Sequence, residues 1–209
     1  SPDEIRANPR VVTSEELLNL STPPQHLCIV GAGVIGLEMA SVFRAFGSKV
    51  TIIEFMKECL PPMDQELARR LRKSMEKQGI VFQLGCGLQQ VDGDKVTYQN
   101  VKKGTSETIE ADCILVATGR QANVEGLGLE NTSIEVGRRG IEVDDNMQTT
   151  VPHIYAIGDV NGRQMLAHAA TFQGFHAINH ILGKTDNIRL NIMPAAVFTH
   201  PEIASVGLT

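Results

Sequence analysis

Ile29-Val30-Gly31-Ala32-Gly33-Val34-Ile35-Gly36-Leu37-Glu38 is the stretch that decides how the chain is read. The apolar-biased run Gln25 to Val30 stops at a glycine turn. Apolar residues then recur at helical spacing (Ile35, Leu37, Met39, Val42, Phe43, Phe46) as far as Gly47. This is a buried strand, a turn and a helix closed by glycine. A second strand, Lys49 to Glu54, ends on an acid. Glu54 stands 23 residues after Gly31 and 18 after Gly36. That is the offset at which a Gly-x-Gly-x-x-Gly turn and a carboxylate hold a dinucleotide. Gly31 permits the tight turn, Gly33 lets backbone N–H groups approach a pyrophosphate, and Gly36 lets the helix lie close to the sheet. Glu54 is expected to accept hydrogen bonds from an adenosine ribose diol. It would repel a 2′-phosphate, which favours NAD(H) over NADP(H). The competing reading is a glycine turn that only packs helix on strand.

Outward from this unit the alternation continues. Thr13 and Glu16 have capping-box spacing ahead of a short helix, which Pro23-Pro24 closes off. Asp64-Gln65-Glu66 opens a helix that runs to about Gln78, and Ile80 to Leu84 is a third strand. Strand, helix, strand, helix, strand is the pattern of a parallel sheet with right-handed crossovers. Asp92-Gly93 then sits between two alternating runs, a hairpin signal, and Thr108-Ile109 extends it to an antiparallel meander. Asp112 to Val116 returns as an apolar strand ending at Ala117-Thr118-Gly119-Arg120. Beyond a boundary near residues 120–124 the reading gives short strands at Ile141 to Val143 and His153 to Ile157. It also gives a helix from Leu166 to Leu182 with Leu166, Ala169, Ala170, Phe172, Ala177, Ile178 and Ile181 inward, and at most one strand in the last 20 residues, around Ala196 to Phe198.

Composition narrows the function classes. The 209 residues carry 19 Lys+Arg against 24 Asp+Glu, a net charge of −5, which argues against a nucleic-acid surface. The basic groups Arg69 to Lys73 and Gly137 to Gly140 read as a solvated helix face and a turn. No apolar run approaches a membrane span, and Ser1-Pro2-Asp3-Glu4 is not a signal peptide. Cys28, Cys59, Cys86 and Cys113 include no pair at redox or zinc spacing. Cys28 and Cys113 are expected to pack as small hydrophobes. His176 and His180, four apart on a helix, lack an evident third ligand, so a structural pair is expected rather than a metal site. Two acids stay open on the residues alone. Glu38 is either a solvated acid near a helix start or a carboxylate facing a nicotinamide. Gly158-Asp159 is either a turn or a carboxylate presented to a ligand hydroxyl.

Taken in order, the glycine motif with Glu38, Val50 to Glu54, Ala117-Thr118-Gly119-Arg120, Ala156-Ile157-Gly158-Asp159-Val160, Met165-Leu166-Ala167-His168 and Thr199-His200-Pro201-Glu202 resemble the dihydrolipoamide dehydrogenase branch of the pyridine nucleotide-disulfide oxidoreductase family. The resemblance covers essentially the whole chain. Met-Leu-Ala-His sets it apart from the glutathione-reductase and mercuric-reductase branches. It implies an α/β fold: a Rossmann-like NAD-binding domain (parallel sheet plus antiparallel meander) over 1–122, a second FAD-domain segment over 123–192, and the start of a dimerisation domain over 193–209.

By the same resemblance, NAD falls on Gly31, Ala32, Gly33, Val34, Ile35, Gly36, Leu37 and Glu38, with Glu54 at the adenosine ribose. Leu88 lies near the adenine and Gly119 by the nicotinamide half. FAD falls on Asp159, at the ribityl chain, and on Met165, Leu166, Ala167 and His168 beside the isoalloxazine. Glu38 becomes a neighbour of the nicotinamide and flavin rings. The family's first glycine motif, its Cys-x4-Cys pair and its His–Glu pair have no counterpart in these residues, so no catalytic residue is assigned. The expectation is a central portion, inactive alone, of a cytoplasmic (in a eukaryote, mitochondrial-matrix) homodimer that oxidises dihydrolipoyl groups on an acyltransferase or glycine-cleavage carrier protein. The rival readings are a mercuric-reductase or NADH-oxidase type flavoenzyme, a non-catalytic NAD-binding module, and an assembly scaffold.

Overall fold

The computed structural model describes residues 2–61 and 63–207. In chain order the elements are α1 (Pro2–Arg6), β1 (Val11–Val12), α2 (Ser14–Leu18), β2 (His26–Val30), α3 (Val34–Ala45), β3 (Lys49–Glu54), α4 (Gln65–Lys77), β4 (Val81–Leu84), β5 (Cys86–Asp92), β6 (Lys95–Asn100), β7 (Ser106–Glu110), β8 (Cys113–Val116), β9 (Val136–Gly137), β10 (Gly140–Ile141), α5 (Ala167–Ile181), β11 (Ala195–Val197) and β12 (Ile203–Ser205). Packing groups the residues up to Gly119 with 196–205 in one compact unit, and 120–195 in another.

The first unit is built on a five-stranded parallel sheet in the order β1-β8-β2-β3-β4. Side chains alternate across it, as strand geometry requires. Leu27 and Ile29 join Leu37, Ile52, Leu71 and Met75 in a cluster under α3 and α4. Cys28 and Val30 join Ile53, Ile114, Val96 and Tyr98 in a second cluster under the antiparallel sheet β5-β6-β7. Both faces are covered, which is why these strands read as unbroken apolar runs. Cys28 and Cys113 are buried in these clusters, and all four cysteines are free.

Local signals end the elements where chemistry predicts. Thr13 and Glu16 form the capping box: Thr13 N donates to Glu16 Oε2 (2.7 Å), and Glu16 N donates to Thr13 Oγ1 (3.3 Å). Asp64 caps α4 by accepting from Leu67 N at 3.0 Å. Asp112 starts the central strand, accepting from Gln25 N (2.9 Å) and His26 N (2.6 Å).

The second unit departs from the sequence reading in three places. The expected strand Ile141 to Val143 is the short hairpin partner β10, with Val143 reduced to a single bridge to Thr149. The expected strand His153 to Ile157 keeps one bridge, Tyr155 to Gln148. A turn bends its start, where Ile154 N donates to Val151 O and His153 adopts φ +72. In α5 the inward residues are Ala169, Gln173 and Ala177, whereas Phe172, Ile178 and Ile181 are exposed. This helix is apolar on most sides, so hydrophobicity alone does not choose its face. The polar Gln173 chooses it, because its oxygen has two donors to satisfy, Gly158 N and Asn161 Nδ2.

Candidate functional site

The carboxyl ends of β2, β3 and β8 lie side by side, and the loops leaving them converge on Gly31. Open α/β sheets bind ligands at such a point, where the chain turns to opposite sides of the central strand. Gly31 adopts φ +109 and donates to Ile53 O at 2.8 Å. A side chain there would strike Ala117 O at 2.4 Å, so the loop after β8 packs directly against the glycine turn. Gly36 packs the helix: an added Cβ would lie 2.1 Å from Gly31 O.

Gly33 differs from both. It is the N-cap of α3, with extended backbone, no side-chain cap and no acid in the first turn after it. An added Cβ would meet nothing within 4 Å. The uncapped N–H groups of a twelve-residue helix therefore open onto free space, an arrangement suited to an anion. Val34 is exposed and Ile35 half-buried on the first turn, while Ala32 and Leu37 are buried behind it.

Glu54 ends β3 beside this turn. It is 8% exposed, and its carboxylate accepts from Ala32 N (2.6 Å) and from Met56 N (2.7 Å). One acceptor position per oxygen remains for a ribose hydroxyl. The same side chain therefore braces the glycine turn, a role that spacing alone does not reveal. Past it, a cavity of about 1120 Å³ is lined by Phe55, Met56, Lys57, Leu84 and Lys102 among others. Phe55 and Met56 are large, exposed and apolar, and they suit a planar base. Sequence reasoning passed over them, although an apolar pair immediately after the acid was the available signal. Leu88 is half-buried in β5, where the ladder with β6 slips by one residue, a bulge that turns side chains. Gly119 sits at φ +133 with open space at its Cβ position.

Glu38 lies one turn into α3, half-buried, and accepts from Phe198 N at 2.9 Å. With His200 N donating to Ser41 Oγ at 3.0 Å, it laces residues 197–200 onto the helix. It is thus neither a simply solvated acid nor a free carboxylate.

In the second unit Asp159 follows the positive-φ Gly158 and pairs with Arg120 at 2.7 Å. Met165 lines a cavity of about 420 Å³ together with Arg120. Leu166 is the uncapped N-cap of α5, Ala167 begins the helix, and His168 Nε2 contacts Pro194 O at 2.7 Å. The two spaced histidines do not converge: His176 meets Asp186 and His180 meets Tyr155. No cluster suited to a metal ion occurs among the described residues.

A family model described as pyridine nucleotide-disulphide oxidoreductase matches residues 3–174. The chain belongs to that family. Among family relatives, dihydrolipoyl dehydrogenase 3 of Pseudomonas putida is 40% identical over 206 residues, covering 97% of this chain and 44% of the relative. The dihydrolipoyl dehydrogenase of Acholeplasma laidlawii is 46% identical over 181 residues, covering 87% of this chain and 52% of the relative. The HOCl-induced flavoprotein disulfide reductase RclA of Escherichia coli superposes with a TM-score of 0.86 at 32% identity, over 98% of this chain and 47% of that one. The chain thus spans about half the length of the curated relatives it matches.

Proposed function

We propose that these 209 residues are the NAD(H)-binding portion, with one FAD-binding segment, of a dihydrolipoyl dehydrogenase that passes electrons from dihydrolipoyl thiols through a disulfide and FAD to NAD+. One observation carries the nucleotide assignment. The uncapped start of α3 opens onto free space at Gly33, and the Glu54 carboxylate is held beside it by the amide of Ala32. In this reading the amides from Gly31 to Gly36 hold the pyrophosphate, and Val34, Ile35 and Leu37 shape the first turn behind it. Glu54 orients the adenosine ribose, Leu88 lies by the adenine, and Gly119 lies by the nicotinamide half. Glu38 fixes the chain at Phe198, just past β11, near the reactive end. Asp159, aligned by Arg120, holds a ribityl hydroxyl, and Met165 to His168 border the isoalloxazine. FAD supplies the electron relay when bound, and this chain's residues supply orientation.

The cysteines are buried and widely spaced, so the 209-residue chain by itself does not turn over dihydrolipoamide. The substrate would be a dihydrolipoyl group on an acyltransferase or glycine-cleavage carrier protein, and the working enzyme a homodimer. A second reading, a flavoenzyme of another disulfide-reductase branch, is favoured by the likeness to RclA.

NADH titration of the purified chain, followed by nicotinamide fluorescence and by the visible spectrum, tests the proposal. Saturable NADH binding that Glu54→Ala weakens about tenfold or more is expected, with little flavin absorbance. Binding indifferent to Glu54 would sink the nucleotide assignment. Stoichiometric flavin would show that one FAD segment suffices.

A further inference from the structure

The basic turn at Gly137 to Gly140 is held by more than its own hairpin. β9 and β10 pair Gly137 with Gly140, so Arg138 and Arg139 form the tip between them. Gly140 adopts φ +142, and a Cβ there would strike Val160 O and the Ala122 methyl group. Gly162 adopts φ +62, and a Cβ there would strike Arg139 O. The two glycines therefore let the tip lie directly on the backbone around Val160 and Gly162, which fixes where the paired arginines start.

That tip borders a cavity of about 420 Å³ within the second unit. Arg120, Arg138 and Arg139 all line it, and no acid does. Arg120 spends Nη2 on Asp159 at 2.7 Å and keeps the donors of Nε and Nη1. Arg138 and Arg139 are exposed, and neither side chain has a hydrogen bond or an ion pair among the described residues. Asp159 is taken up by Arg120, and Glu142, which lies against Gly137, is not part of the cavity wall.

Charge and shape narrow the ligand. Arg120 and Asp159 cancel, so the wall carries two uncompensated guanidinium groups. A planar guanidinium fork meets phosphate oxygens two at a time. A phosphomonoester carries nearly two negative charges at neutral pH, whereas a monocarboxylate would leave one arginine unmatched. The volume lies in the roughly 300–1,000 Å³ range of small-molecule sites, more than a bare phosphate fills. Ala122, Val124 and Val136 give part of the wall an apolar lining.

We propose that this cavity binds a small organic phosphomonoester. Arg138 and Arg139 receive the phosphate together with the unused donors of Arg120, and Ala122, Val124 and Val136 border the organic group. The proposal goes beyond the nucleotide reading and does not rest on it.

Phenyl phosphate is the probe, titrated into the full 209-residue chain up to about 10 mM at about 0.15 M salt and neutral pH, with orthophosphate and benzoate as comparators. Backbone amide shifts in NMR spectra report both affinity and place. Saturable shifts at Gly137, Gly140 and Gly162 are expected, with orthophosphate weaker and benzoate about tenfold weaker or more. Arg138→Ala and Arg139→Ala alter only exposed side chains, and each should lose phenyl phosphate about tenfold. Shifts confined to Gly31 to Gly36 would put the phosphate at the start of α3 instead and overturn the proposal. Absence of saturation, benzoate or orthophosphate binding as tightly as phenyl phosphate, or full binding by either alanine variant would each overturn it as well.

Discussion

Gly33 and Gly36 stand three residues apart on one turn and lack a side chain for opposite reasons. At Gly36 the missing Cβ is a packing requirement, because it would lie 2.1 Å from the backbone oxygen of Gly31. Gly36→Ala should therefore destabilise the chain by about 1–3 kcal/mol, measured by urea unfolding. At Gly33 the space is open and φ is an ordinary −77. Gly33→Ala should cost no more than about 1 kcal/mol, the range of an N-cap change, while weakening NADH binding by a methyl group placed where the phosphate would lie. Equal stability losses in the two variants would contradict this division. Asp112 gives a pH-dependent counterpart. Partial burial opposes its charge, but the amides of His26 and Gln25 outweigh that and hold its carboxyl below the usual carboxylate range. A carboxyl depressed in the folded state stabilises above its unfolded pKa, near 4, and the contribution fades as pH falls through the folded value. Asp112→Asn puts an amino group against an N–H and should cost about 1 kcal/mol at pH 7. Denaturation midpoints should show that difference shrinking below about pH 4, since a protonated Asp112 is no better an acceptor than the amide.

At the scale of the elements, α5 separates what hydrophobicity fixes from what partners fix. Phe175 is 58% exposed and Ala177 4% exposed, two positions apart on the same helix. Phe175→Ser should change stability by less than about 0.5 kcal/mol, whereas a larger side chain at Ala177 should cost about 1–3 kcal/mol. Thermal melts of the two variants distinguish these outcomes. The helix itself was legible, because Gly183 and the apolar spacing bound it on the page. Its buried face was not, because partners outside the helix decide it: Gly158 and Asn161 lie 15 and 12 residues before Gln173 and meet it only in the fold. The same distinction runs through the candidate site. Gly31, Gly33, Gly36 and Glu54 are set by local geometry at fixed spacing, so their positions follow from the sequence. The Glu54 to Ala32 bond, the lacing of Glu38 to Phe198 and the pairing of Arg120 with Asp159 depend on contacts between distant segments, and no local pattern announces them. The strand expected at His153 to Ile157 fails for a related reason. Its residues have strand propensity, but a strand also needs a ladder, and here the pairing stops at one bridge, Gln148 to Tyr155, flanked by the bonds of Ile154 O and Ala156 N.

Across the whole molecule, apolar burial is distributed unevenly. Both large hydrophobic clusters lie in the parallel sheet and its covering layers, and no residue from 120 to 195 belongs to either. The second unit buries Ile141, Met147, Ala156, Ala169 and Ala177, and relies more on polar links such as Asn161 to Gln173. Net hydrogen-bond contributions are small compared with those of large buried side chains, so the two units should open at different free energies. Native-state hydrogen exchange reads this directly. The amides of β2, β3 and β8 should exchange only through global unfolding, and their protection should track the denaturant slope of the whole chain. The amides of α5 and of the bridges around Gln148 and Tyr155 should exchange earlier, through an opening with a smaller slope. NADH should raise protection in the first set near Gly31 and Glu54 by mass action. A single cooperative opening shared by every amide would refute the uneven distribution of stability, since one common free energy cannot arise from two sets of contacts of such different apolar content.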